Sequence, residues 1–134
     1  FGIQLGRRFR ALKMWMVFRA FGAEGLRARM RGQCALAAEL ADWVQQSPRF
    51  ELAAPVPLGT VCFRAVTGGT PEQQDAHNAA ILERVNADGG VFISQTKLNG
   101  RYVLRLCVGN LRTTRAHLER AWRLITEADS ALRS

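Results

Sequence analysis

The chain has 134 residues, 48% hydrophobic and 22% charged, proportions that suit a single folded domain and exclude a disordered tail. Nineteen basic residues, seventeen of them arginine, stand against eleven acidic ones for a net charge of +8, a balance also met in nucleic-acid binders. The charges nevertheless form no run of five and are mixed with acids from Arg7 to Arg133, which fits an arginine-rich surface or arginines that bond across an interface.

In chain order, residues 1–6 read as extended chain entering the domain, and a helix is expected from Arg7 to Phe21, stopped by Gly22. Between Ala11 and Phe21 only Lys13 and Arg19 are charged. Such a helix is apolar on nearly every face and needs cover, either as a core helix of this domain or by docking on protein outside it. It is too short to span a bilayer, which takes about 20 apolar residues. A second helix follows from Ala23 to Gln46, with Leu26, Met30, Cys34, Ala37, Ala41 and Val44 along one face. Pro48 ends it.

The period then changes to two. Phe50 and Leu52 alternate with Arg49 and Glu51, and Thr60–Val66 reads as a second, more buried strand. Thr70-Pro71-Glu72-Gln73 carries a capping-box pair and a first-turn proline for a helix over Pro71–Ala87. Strands over Val91–Leu98 and Arg101–Val108 flank Asn99-Gly100, a pair suited to the positive φ of a type I′ hairpin turn. Thr113 or Thr114 then caps a last helix reaching about Leu132, with Leu118, Trp122, Ile125 and Leu132 as its apolar stripe. Helices on one face of a short, mainly antiparallel sheet account for this order, an α+β fold.

Cys34, Cys62 and Cys107 are odd in number and widely spaced, and His77 and His117 are isolated, so no zinc spacing can be assembled and no metal ligand is assigned. The thiols read as buried and reduced, which points to the cytoplasm.

Leu5-Gly6-Arg7-Arg8-Phe9-Arg10-Ala11-Leu12-Lys13-Met14-Trp15 closely resembles the start of the C-terminal domain of group II pyridoxal-phosphate-dependent decarboxylases, the aromatic-L-amino-acid decarboxylase family. The likeness continues through Pro48–Glu51, Gly59–Arg64, Tyr102–Arg105 and Arg120–Trp122, nearly the whole chain. The resemblance implies residues 1–134 to be the small C-terminal domain of a longer fold type I enzyme, with residues 1–6 as the end of a linker from its large domain. It further implies a carboxy-lyase that converts aromatic L-amino acids to amines and carbon dioxide, a homodimer, and pyridoxal 5'-phosphate held mainly by the large domain.

Such an enzyme needs a lysine to bind the cofactor's aldehyde, and in the family that lysine directly follows a histidine. Here His77 precedes Asn78, His117 precedes Leu118, and the only lysines are Lys13 and Lys97. No catalytic or cofactor-binding residue is therefore assigned, and the chain alone is expected to be inactive. By resemblance, three positions reach the substrate pocket: Gly6, Arg7 and Arg105. A glycine lets backbone approach a ligand, and a guanidinium holds a carboxylate or carbonyl. Arg105 shares a strand face with Val103 and Cys107, a lone charge on a mostly apolar face, and a buried arginine needs a partner. The rival reading is a free-standing basic α+β module binding RNA or a protein partner, which wants exposed aromatics on its sheet; Phe63 and Tyr102 are the candidates, though Phe63 reads as core.

Overall fold

The structure, a computed structural model, describes residues 9–134 of the chain, which divides into two compact units, Phe1–Gly32 and Gln33–Ser134. Gly6 and Arg7 lie outside the described residues.

The first unit holds the opening of helix α1 (Arg10–Gln46), and the expected break is there: Gly22 has φ 62° and ψ 175° and interrupts the helical backbone. Only glycine adopts that conformation without strain. Before the break, Met14, Trp15, Met16 and Phe18 are all more than half exposed. Among the described residues of this unit, these side chains are not packed as those of a core helix. Arg19 lies 5.8 Å from the Trp15 ring and Arg29 4.2 Å from that of Phe21, while Arg27 pairs with Glu24.

The second unit carries the sheet. Its elements are the close of α1, β1 (Phe50–Leu52), β2 (Thr60–Ala65), α2 (Pro71–Ala87), β3 (Ser94–Leu98), β4 (Arg101–Cys107) and α3 (Arg115–Arg133). The strands lie in the order β1-β2-β4-β3, every neighbouring pair antiparallel. Pairing of Val61 with Leu106, Phe63 with Leu104 and Phe50 with Ala65 puts these side chains on one face, because side chains alternate along a strand. That face meets the helices. Phe63 and Leu104 are fully buried beside Leu40 of α1, Ile81 of α2 and Ile125 of α3, each such side chain contributing about 1.5–3 kcal/mol. Trp122 tilts against Phe50 with ring centroids 5.0 Å apart and meets Phe63 edge-on at 6.1 Å.

The local signals act as their chemistry dictates. Gln73 N–H donates to Thr70 Oγ1 and Thr70 N–H to Gln73 Oε1, closing the capping box of α2. Asn99 and Gly100 both take positive φ, 51° and 78°, at the hairpin turn. Thr114, not Thr113, caps α3, and its N–H donates to Nδ1 of His117. The expected strand from Val91 begins only at Ser94, because Asn86 bonds both the N–H and the carbonyl of Ile93 and takes the place of a strand partner. Another amide closes the opposite end of the sheet. Asn78, fully buried on α2, accepts from Ala65 N–H and donates to Ala65 O and Gln74 O.

Candidate functional site

Strand alternation sends Thr60, Cys62 and Arg64 of β2 and Arg101, Val103, Arg105 and Cys107 of β4 to the sheet face away from α2 and α3. Arg105 sits near the centre of this face, opposite Cys62 on β2 and Ser94 on β3. It is exposed, which corrects the expectation of a guanidinium on a mostly apolar face that needs a buried partner. Its Nε donates to Ser94 Oγ at 3.1 Å, and Ser94 Oγ donates back to the Arg105 carbonyl at 3.3 Å. This pair of bonds holds the stem of the side chain. Among the described residues the two Nη groups have no hydrogen-bond partner, so a fork of donors stands free to meet a carboxylate or a carbonyl.

Around the arginine lie two thiols. Cys107 is exposed, with Thr60 Oγ1 3.5 Å from its sulfur, and Cys62 is half-buried, as is Cys34. The expectation of three buried thiols is thus not met: Cys62 and Cys107 point to the uncovered face. Burial pushes the Cys62 thiol above its ordinary range, Arg105 pulls it down, and the nearby Cys107 pushes it up again. Phe63, a candidate for the RNA-binding reading that nevertheless reads as core, is fully buried on the helix side of the sheet, as a core residue is.

Neither Lys13 nor Lys97 suits a covalent cofactor bond. Both are exposed, Lys13 on the opening helix and Lys97 beside the hairpin turn. Asp129, the one fully buried carboxylate among the described residues, is occupied by His77, Arg49 and Arg133. Among the described residues, then, neither lysine nor the buried carboxylate is placed to hold pyridoxal phosphate.

Two features of the unit escaped the sequence reading. The Asp129 network joins residues far apart in the chain, and only the spacing of four between Asp129 and Arg133 was visible. Arg64, with its side chain more than nine-tenths buried, pairs with Glu51. The cross-strand register that brings these two together cannot be read from strand patterns alone.

Residues 1–66 match the family model of the pyridoxal-dependent decarboxylase conserved domain. The chain is 41% identical over 131 residues to phenylacetaldehyde synthase of Arabidopsis thaliana, covering 97% of this chain and 27% of that protein. It is likewise 41% identical over 120 residues to the aromatic-L-amino-acid decarboxylase of Sus scrofa, covering 90% of this chain and 24% of that protein. Among solved structures, Oryza sativa TDC with PLP and tryptamine superposes with a TM-score of 0.91 at 35% identity, over 98% of this chain and 29% of that one. The chain thus spans about a quarter of the length of the relatives it matches. With its α+β fold matched as well, the chain belongs to the group II pyridoxal-phosphate-dependent decarboxylase family.

Proposed function

We propose that this chain is the small C-terminal domain of a pyridoxal-phosphate-dependent decarboxylase that converts aromatic L-amino acids to amines and carbon dioxide. The observation that carries the reading is a likeness of 41% identity running over 97% of the chain, with relatives named for tyrosine, tryptophan and aromatic-L-amino-acid decarboxylation. The cofactor supplies the electron sink for decarboxylation, and a larger domain of the same polypeptide holds it. The parent works in the cytoplasm as a homodimer.

The chain's own contribution is to close and shape the pocket. The uncovered sheet face turns toward the large domain, and Arg105 offers its free Nη groups to the substrate. Gly6 and Arg7 approach the same pocket from the entering segment, where backbone without a side chain fits against a ligand. The opening of α1 docks on the remaining polypeptide. Its exposed Trp15, Met14 and Phe18 supply apolar area, and its arginines meet carboxylates there. Residues 1–32 carry eight basic side chains against the single acid Glu24, which favours such a counter-surface.

The test is the visible absorption spectrum of the protein made from the complete reading frame that contains this segment. A cofactor band abolished by borohydride is expected, with none in the 134-residue chain alone. A colourless full-length protein that binds no pyridoxal phosphate would overturn the proposal. Released product is assayed as amine and as aldehyde separately, since one relative is named for an aldehyde.

A further inference from the structure

A second site lies on the uncovered sheet face, away from Arg105. Glu51, Arg64, Asn99 and Arg101 line a cavity of about 370 Å³, with Leu98 and Val103 as its apolar wall. Arg64 is the built part of it. Its side chain is only 9% exposed; Nε donates to Glu51 Oε1 at 2.7 Å and Nη2 to Gln74 Oε1 at 2.7 Å. Two bonds fix the plane of the guanidinium. Among the described residues Nη1 has no hydrogen-bond partner, and Arg64 lines the cavity.

Arg101, the first residue of β4, faces the same space from beside the hairpin turn and makes no ion pair among the described residues. The only acid in the lining is Glu51, already committed to Arg64. One positive charge is therefore left over in a concave, mainly polar pocket. A fixed, half-used guanidinium beside a free one is arranged for an oxyanion, because little freedom is lost when the anion binds. Leu98 and Val103 favour an anion with a short methylene stem over a bare phosphate.

We propose that the Arg64–Arg101 cavity is a carboxylate-binding site. Its ligand is an aliphatic carboxylate, held by Arg64 Nη1 and the Arg101 guanidinium while its stem rests on Leu98 and Val103. The carboxylate comes either from a small acid in solution or from an Asp or Glu side chain of the remaining polypeptide. The site stands on the geometry of this chain and does not depend on the reaction of the parent protein.

The test follows the Arg64 Nε–H resonance of the 134-residue chain during titration with glutarate at constant ionic strength. A saturable shift is expected, weaker by at least tenfold in dissociation constant for Arg101→Gln, whose exposed side chain the fold does not need. Inorganic phosphate should bind more weakly than glutarate. A linear, unsaturated response, or equal affinity in Arg101→Gln, would overturn the proposal. The same resonance in the full-length protein separates the sources. Found already at its saturated position, it reports a carboxylate of the polypeptide; shifting saturably with glutarate, it reports a site for a free acid. Unshifted and unresponsive, it contradicts both.

Discussion

His77 Nε2 lies 2.8 Å from Oδ1 of Asp129, whose side chain is fully buried, and this contact ties α2 to α3 across the helical layer. Arg133 Nε donates to both oxygens of the same carboxylate at 2.8 and 3.0 Å, and Arg49 Nη1 stands 3.2 Å from Oδ2. Arg133 Nη2 also donates to the Val66 carbonyl past the end of β2. One carboxylate thereby joins two helices to the end of the β1–β2 ribbon where Arg49 and Val66 lie side by side. Removing it strands two guanidiniums and an imidazole that were placed for it. Asp129→Ala is expected to cost on the order of 3 kcal/mol, somewhat below a fully buried pair because both arginines are partly exposed. Urea denaturation checks it; a loss under about 1 kcal/mol would show the network to be incidental.

The hairpin turn gives a smaller effect by a different route. Gly100 has φ 78°, where an added Cβ is strained even though no atom lies within 4 Å of it. Gly100→Ala should lower stability by about 1 kcal/mol with an unchanged denaturant slope. A change in slope instead would point to a rearranged hairpin.

The uncovered face has a pH signature. Cys62 holds its proton more tightly in the folded chain, chiefly through burial, and Arg105 acts against this by favouring the thiolate. Arg105→Ala should thus push the Cys62 pKa higher still and slow its alkylation by iodoacetamide at a fixed alkaline pH. Exposed Cys107 should react first in both proteins. Tyr102 is raised too, by burial and then by Glu83. Both groups bind protons more tightly folded than unfolded. Their stabilising contribution is therefore complete below the ordinary thiol and phenol ranges and is lost as pH rises through the raised folded values. Unfolding midpoints across the alkaline range should fall, and fall less in Cys62→Ala.

The opening helix is tested by where a substitution is felt. Trp15 is 59% exposed, so Trp15→Ser should change the stability of the 134-residue chain by no more than about 0.5 kcal/mol. In the full-length protein the same change should lower the melting temperature measurably. Equal indifference in both would leave the helix without a docking partner.

What could be read from the residues was whatever is local. The stop at Gly22, the capping box at Thr70 and Gln73, and the Asn99-Gly100 turn each need only a few neighbouring residues, and all three are present. Alternation likewise set Phe50 apart from Arg49 and Glu51, and Phe50 is buried. Readings that depended on tertiary cover went differently. Cys107 and Arg105 looked interior because apolar residues flank them in sequence, but strand neighbours point to the opposite face. That face looks away from α2 and α3, apart from the Gln74 side chain that reaches Arg64 from the start of α2. Long-range partners such as Arg49 and Asp129, 80 residues apart by their numbers, leave no mark in spacing. The family likeness reached further than periodicity could, because it compares whole segments at once.

The proposed role of this domain, completing the pocket of an aromatic amino-acid decarboxylase, is tested by carbon dioxide release from the full-length protein. The full-length protein loaded with pyridoxal phosphate should release carbon dioxide from aromatic L-amino acids. Arg105→Ala should lower kcat/KM by at least tenfold, about 1.4 kcal/mol, at an equal folded fraction, since its exposed head bears little on stability. No carbon dioxide from any aromatic L-amino acid, or undiminished turnover in Arg105→Ala, would contradict it.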